Sequence, residues 1–109
     1  MMNMEKIGID LMLLSRIQLK ESFVDMILTS AEKEEYNSKA SDKKRIEYLG
    51  GRFAAKEAIY KATQDKSYLT YSVLNDENGA PYVSGHPELS VSISHDGEYA
   101  VAIVLRRSE

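Results

Sequence analysis

Residues 46–61 read IEYLGGRFAAKEAIYK, and this stretch decides the architecture. Ser41-Asp42 is a helix start signal, and no proline interrupts the helical spacing from there to about Thr63. Take Gly50 as the origin and advance about 100° per residue. Ile46, Phe53 and Tyr60 then fall at about −40°, −60° and −80°, and Ala54 and Ala58 at about +40° and +80°. This arc is apolar and small, the face that should pack. Glu57 and Lys61 project at about −20° and +20°, in its middle.

A Glu–Lys pair four apart on a helix surface contributes only about 0.2–0.5 kcal/mol. A carboxylate between Phe53 and Tyr60, however, loses hydration, and burial without a partner is costly. A solvated surface pair and a functional carboxylate both stay open on this pattern. Gly50, Ala54 and Ala58 recur every four residues, so another backbone or a ligand can approach closely.

Upstream, a short strand is predicted over residues 4–9. Asp10 then reads as the N-cap of a helix over 10–20, opening on Leu11-Met12-Leu13-Leu14, in one or more short pieces. Gly8 eases close backbone approach at this junction. By residue type a plain cap is the commoner role for Asp10; a second reading stays open, in which Asp10 and Glu57 together could supply two oxygen ligands to Mg²⁺, an ion held by one or two carboxylates plus substrate phosphates. Helical spacing continues over residues 21–28. Thr29 and Glu32 have the capping-box form at the start of a polar helix reaching about Lys39.

Downstream the period changes. Residues 68–74 are rich in Tyr, Thr and Val and read as a strand. A turn cluster over 75–79 leads to a short strand at 81–83. Leu89, Val91 and Ile93 alternate with serines, Asp96-Gly97 signals a hairpin, and 99–105 form a last, more apolar strand. Residues 106–109 are a polar tail. His95 reads as a turn residue at a strand end, His86 as a loop residue, and neither has metal-ligand spacing. Helices first and hairpins second predict an α+β fold: an antiparallel sheet packed with helices, one of them long and central. Residues 1–109 are expected to form a single domain.

Composition narrows the function. The 109 residues are 43% hydrophobic and 28% charged, which suits one globular core. A net charge of −3 argues against a nucleic-acid binder working by bulk positive field. Without cysteine there are no disulfides, thiolate zinc sites or cysteine nucleophiles. No secretory signal pattern, membrane span or P-loop is visible, so a cytoplasmic protein acting away from membranes is expected.

The motifs then fall into a known order. Gly8-Ile9-Asp10, Arg16-Ile17, Ile27-Leu28-Thr29 with Glu32, the block Gly51-Arg52-Phe53-Ala54-Ala55-Lys56-Glu57-Ala58 with Lys61-Ala62, Asn75-Asp76 with Gly79 and Pro81, and Val91-Ser92-Ile93-Ser94-His95 are collinear over nearly the whole chain. The chain resembles the holo-[acyl-carrier-protein] synthase family of 4'-phosphopantetheinyl transferases. The resemblance implies an enzyme of fatty acid biosynthesis that moves the 4'-phosphopantetheine arm of coenzyme A onto a serine of apo acyl carrier protein. Adenosine 3',5'-bisphosphate is the other product.

By resemblance, Asp10 and Glu57 match ligands of Mg²⁺, with Mn²⁺ as a substitute, and Lys61 lies near the reacting phosphate. Lys61 and Glu57 are the catalytic candidates. Lys61, a metal-bound water or Glu57 could take the serine proton, and the sequence does not choose. Arg52, Lys43 or Lys44, and His95 match contacts to the nucleotide end of CoA, with Gly79 and Pro81 beside them. Arg16 matches the carrier-protein docking surface, and Lys20, four residues on and expected on the same helix face, is the second candidate there. A homotrimer with sites between chains is implied. Geometry independently favours sharing, since Arg52 and Glu57 project about 140° apart on a helix.

Two stretches depart from the family. Lys61-Ala62 runs into Thr63-Gln64-Asp65-Lys66-Ser67 where the family carries a longer Gly-Thr-Gly loop. Ala80 stands between Gly79 and Pro81 where the family often has lysine. A non-catalytic module binding the carrier or a CoA-like nucleotide would not need both carboxylates. A structural oligomerisation domain would explain the small-residue face but not the charges within it.

Overall fold

The computed structural model describes residues 5–107. Thr29 and Ser41 start helices as their sequence contexts require. Thr29 forms the full capping box with Glu32, opening α2 (Ser30–Asn37). Ser41 Oγ accepts the Lys44 N–H at the start of α3 (Asp42–Thr63). The short α1 (Glu21–Ile27) precedes both. Strand β1 (Lys6–Leu13) comes first in the chain. After α3 come β2 (Val73–Asn75), β3 (Pro81–Val83), β4 (Leu89–Asp96) and β5 (Tyr99–Arg106). The strands make two antiparallel sheets among the described residues, β1-β5-β4 and β2-β3.

The first half of the predicted helix over 10–20 is strand instead. All eight residues of β1 pair with β5, and Asp10 lies opposite Ala102 in mid-strand. The apolar run 11–14 has no helical period of its own, so pairing decides it. Ile7, Ile9 and Leu11 point to one face, and Gly8, Asp10 and Met12 face α3. Only Leu14–Arg16 turns, as a single 3₁₀ turn. The predicted strand start at Met4 and the tail end at Ser108-Glu109 lie outside the described residues.

The predicted strand over 68–74 is mostly not strand. Tyr68–Thr70 is a 3₁₀ turn, and only Val73–Asn75 pairs with β3. Lys56 Nζ takes the Tyr68 carbonyl at 2.8 Å, and the Tyr68 ring packs edge-on to Phe53. These holds bend the chain away from extended pairing.

Helix α3 is buried on more than the arc read from the sequence. Gly50, Ala54 and Ala58 are buried, but so are Tyr48, Arg52, Ala55, Ile59 and Ala62 on the opposite side. One core joins α3 to the sheets through Ala54, Ala58, Val73, Ala102 and Val104. Another joins α3 to α1 and α2 through Ile27, Leu28, Tyr36 and Leu49. The β4–β5 hairpin closes through Gly97-Glu98, with Gly97 at φ 58°, and Asp96 pairs with Tyr99.

Candidate active site

Gly8 seats β1 against α3, which brings Asp10 on the same strand face beside the last turns of the helix. Lys61 Nζ donates to the Ile9 carbonyl at 2.8 Å and lies 3.4 Å from Asp10 Oδ1. The Asp10 side chain is only 16% exposed, while that of Lys61 is 49% exposed. Burial raises the Asp10 pKa, the Lys61 ammonium opposes the rise, and the charge of Glu57 adds to it. Asp10 and Glu57 are therefore close enough to repel. Glu57 Oε2 accepts a hydrogen bond from the Tyr68 hydroxyl. Both carboxylates line a cleft of about 370 Å³ with Arg16, Phe23 and Phe53.

Among the described residues no cluster of three or more His, Cys, Asp or Glu exists. Two mutually repelling carboxylates with an ammonium beside them are still a fitting donor set for a hard divalent cation. Such a site takes its remaining oxygens from a substrate phosphate and water. Asp10 and Glu57 are the residues able to hold that ion.

A second cleft, about 310 Å³, opens on the other side of α3. Lys44, Arg52, Gly79, Pro81 and His95 all line it. The structure thus brings together five of the seven residues expected to contact CoA. Lys61 stays with the carboxylates, and Lys43 lines a different groove with Leu14, Ile46 and Gly97. His95 Nδ1 lies 3.9 Å from Glu47 Oε2 at the cleft wall.

Arg52 is largely committed to the fold. Its Nε donates to the Val73 carbonyl at 2.8 Å, and Nη2 donates to Asn75 Oδ1 at 2.8 Å and Glu35 Oε1 at 3.3 Å. The guanidinium lies over the Tyr48 ring, 4.3 Å from its centroid. Nη1 has no partner among the described residues, which leaves one edge of the fork for a ligand in the cleft.

Sequence reasoning missed Lys39 and Lys56. Lys39 lines the second cleft, its Nζ 5.1 Å from the Tyr48 ring centroid. No spacing rule finds it, because the turn between α2 and α3 places it. Lys56 is 2% exposed and pairs with the fully buried Glu32 at 2.9 Å. Its other two protons go to the carbonyls of Ile27 and Tyr68, each at 2.8 Å. A signal for it existed: Phe53, Ile59 and Tyr60 surround Lys56 at helical spacing.

Arg16 ends the 3₁₀ turn and lines the acidic cleft. Lys20 is the extended residue before α1. The two do not share one helix face, because no helix joins them. The loop after Lys61 is closed by its own polar groups. Gln64 takes the left-handed cap position at φ 67°, Thr63 Oγ1 accepts the Asp65 N–H, and Asp65 Oδ1 accepts the Ser67 N–H.

A strand and a long helix thus converge two carboxylates and a lysine in one cleft, with a cationic cleft across the helix. The signature of the 4'-phosphopantetheinyl transferase superfamily matches residues 6–104, and the chain belongs to that superfamily. Within it, the chain is 40% identical to a holo-[acyl-carrier-protein] synthase of Geobacillus sp., an alignment covering 91% of this chain and 92% of that one. It is 42% identical to that of Acholeplasma laidlawii, again covering 91% and 92%. The crystal structure of a holo-(acyl-carrier-protein) synthase from Bacillus anthracis in complex with CoA (3',5'-ADP) superposes with a TM-score of 0.84. It is 37% identical, covering 95% of this chain and 96% of that one.

Proposed function

We propose that this single-domain chain transfers the 4'-phosphopantetheine arm of coenzyme A to a serine of an apo acyl carrier protein, releasing adenosine 3',5'-bisphosphate. The observation that carries the reading is the convergence of Lys61, Asp10 and Glu57 at one end of α3 in a member of this superfamily. The reaction is mostly positioning and charge stabilisation. Asp10 and Glu57 would hold Mg²⁺, or Mn²⁺ in its place, and the ion when bound would supply polarisation of the CoA pyrophosphate and charge stabilisation of the leaving group. Lys61 sets a positive charge beside the transferred phosphoryl group, anchored by the Ile9 carbonyl. Glu57 is the chain's own group able to receive the serine proton, since Lys61 in its charged form has no lone pair to accept one. Lys44, His95 and the free edge of Arg52 bind the nucleotide end, against the backbone of Gly79 and Pro81.

The working unit is a homotrimer with sites between chains. No residue lines both the acidic cleft and the cationic cleft. The sheet face turned away from α3 is apolar and exposed, with Ile7 at 65%, Leu11 at 63% and Ile103 at 44%. Packing that face on a neighbour covers it and sets one chain's carboxylates toward another's nucleotide cleft, and a closed ring makes three equal sites. The enzyme serves fatty acid biosynthesis in the cytoplasm. No helix among the described residues is long and apolar enough to cross a membrane.

Arg16, exposed at the mouth of the acidic cleft, docks the acidic carrier, with Lys20 beyond it. The test is chromatographic: purified chain, CoA, Mg²⁺ and apo carrier should release adenosine 3',5'-bisphosphate, and omitting the carrier should stop it. Arg16→Glu should raise the KM for carrier and leave that for CoA, more so at low salt. Release without carrier would reduce the protein to a CoA hydrolase, and an unchanged carrier KM would remove Arg16 from the docking surface.

A further inference from the structure

Glu57 has a neighbour that neither the sequence reading nor the proposed reaction uses. Tyr68 reaches its carboxylate from the short connection after α3, and three contacts fix it there. Its ring packs edge-on to Phe53, centroids 5.9 Å apart at 79°, and Phe53 packs the same way on Phe23. Its carbonyl accepts the buried Lys56 Nζ at 2.8 Å. The Thr70 N–H closes the 3₁₀ turn on the Ser67 carbonyl at 2.9 Å. The hydroxyl then donates to Glu57 Oε2, and no described group donates to Oε1.

We propose that Tyr68 is a positioning residue for the transfer reaction: its phenol holds Oε2 of Glu57 and leaves Oε1 for the divalent cation. The proposal rests on the reading of Asp10 and Glu57 as the cation's ligands. A glutamate on a helix carries three side-chain torsions, so an unheld carboxylate spends part of its time turned away from Asp10. Fixing it from a rigid ring removes that entropy cost before the ion arrives. Hydrogen-bond partners of metal ligands typically contribute about 10–100-fold to affinity or activity. The connection's length matters here, because only Gln64–Ser67 separate the end of α3 from the turn carrying Tyr68.

The experiment measures Mn²⁺ affinity by the electron paramagnetic resonance signal of the free ion. It uses the full chain with saturating CoA and no carrier, so nothing turns over. Tyr68→Phe keeps the ring against Phe53 and removes only the donor. Its Mn²⁺ Kd should rise about tenfold, with Tm unchanged and the CoA Kd at saturating Mn²⁺, measured separately by titration, unchanged. An unchanged Mn²⁺ Kd in Tyr68→Phe, while Glu57→Ala weakens binding strongly, overturns the role of Tyr68 and leaves the carboxylate site standing. An unchanged Kd in Glu57→Ala overturns the carboxylate site and Tyr68's role with it. A Tyr68→Phe variant whose Tm and CoA Kd shift together with the Mn²⁺ Kd is loosened generally, which also overturns positioning.

Discussion

Gly8 of β1 lies directly against the backbone of Ala58 in α3: a Cβ at Gly8 would stand 1.9 Å from the Ala58 carbonyl oxygen. Neither side of this contact is a flexible side chain, so relief requires moving the strand or the helix. Asp10 is two residues along that strand, so the contact sets its distance from Glu57 and Lys61.

Gly8→Ala should therefore cost both stability and activity. Overpacking of a filled interior destabilises by about 1–3 kcal/mol, and a backbone clash belongs at the upper end. Urea unfolding should show a lower midpoint, and transfer should slow even where the variant stays folded. Wild-type activity in a stable Gly8→Ala chain would mean that the strand is free to shift.

The buried pair Lys56–Glu32 ties three segments together. Lys56 reaches the carbonyls of Ile27 and Tyr68, while Glu32 also accepts the N–H groups of Thr29 and Val73. Burial lowers the Lys56 pKa, and Glu32 resists that shift. Lys56→Ala strands a buried carboxylate and should destabilise the chain by about 3–5 kcal/mol. Denaturant titration checks it. A loss below about 1 kcal/mol would show that water replaces the ammonium readily.

Stability should fall in alkali. Burial, reinforced by the hydrogen bond to Glu35, raises the Tyr48 pKa well above the ordinary phenol value, against the pull of Arg52. Burial likewise raises that of Tyr68. A folded-state pKa above the unfolded one gives stability that is complete below about pH 10 and lost as pH climbs past it. Tm measured from pH 8 to 11.5 should drop in the wild type, and Tyr48→Phe should flatten the drop. An equally steep fall in Tyr48→Phe would assign the loss to other groups.

Local signals carried far along this chain. Thr29 with Glu32, Ser41 and Asp96-Gly97 are short-range chemistry, and each element begins or turns where its residues demand. The helix over Asp42–Thr63 was legible for the same reason, and so were the opposed directions of Arg52 and Glu57. Asp10 misleads because an N-cap before four apolar residues is also how a buried strand looks. Its partner Ala102 is far away in the sequence. Lys56 was marked by the apolar Phe53, Ile59 and Tyr60 around it, but its partners were not, and Tyr68 was illegible as a site support, since those contacts run across turns whose geometry no spacing rule encodes.

Sites shared between chains should complement. Arg52→Ala is a poor probe, because it would leave Val73 and Asn75 without their donor. Lys44→Ala with His95→Ala removes two contacts of the cationic cleft at exposed positions instead. Chains with that double change and Glu57→Ala chains, each inactive alone, should regain part of the activity after mixed reassembly. Verified mixed oligomers with no recovery would place each whole site within one chain.

The most direct measurement is the intact mass of an apo acyl carrier protein after incubation with this chain, CoA and Mg²⁺. The carrier should gain one phosphopantetheine on a serine, with adenosine 3',5'-bisphosphate formed in equal amount. The gain should vanish with EDTA and in Asp10→Ala or Glu57→Ala chains. A carrier that keeps its apo mass, or is modified as fast in metal-free buffer, would contradict metal-assisted transfer by these two carboxylates.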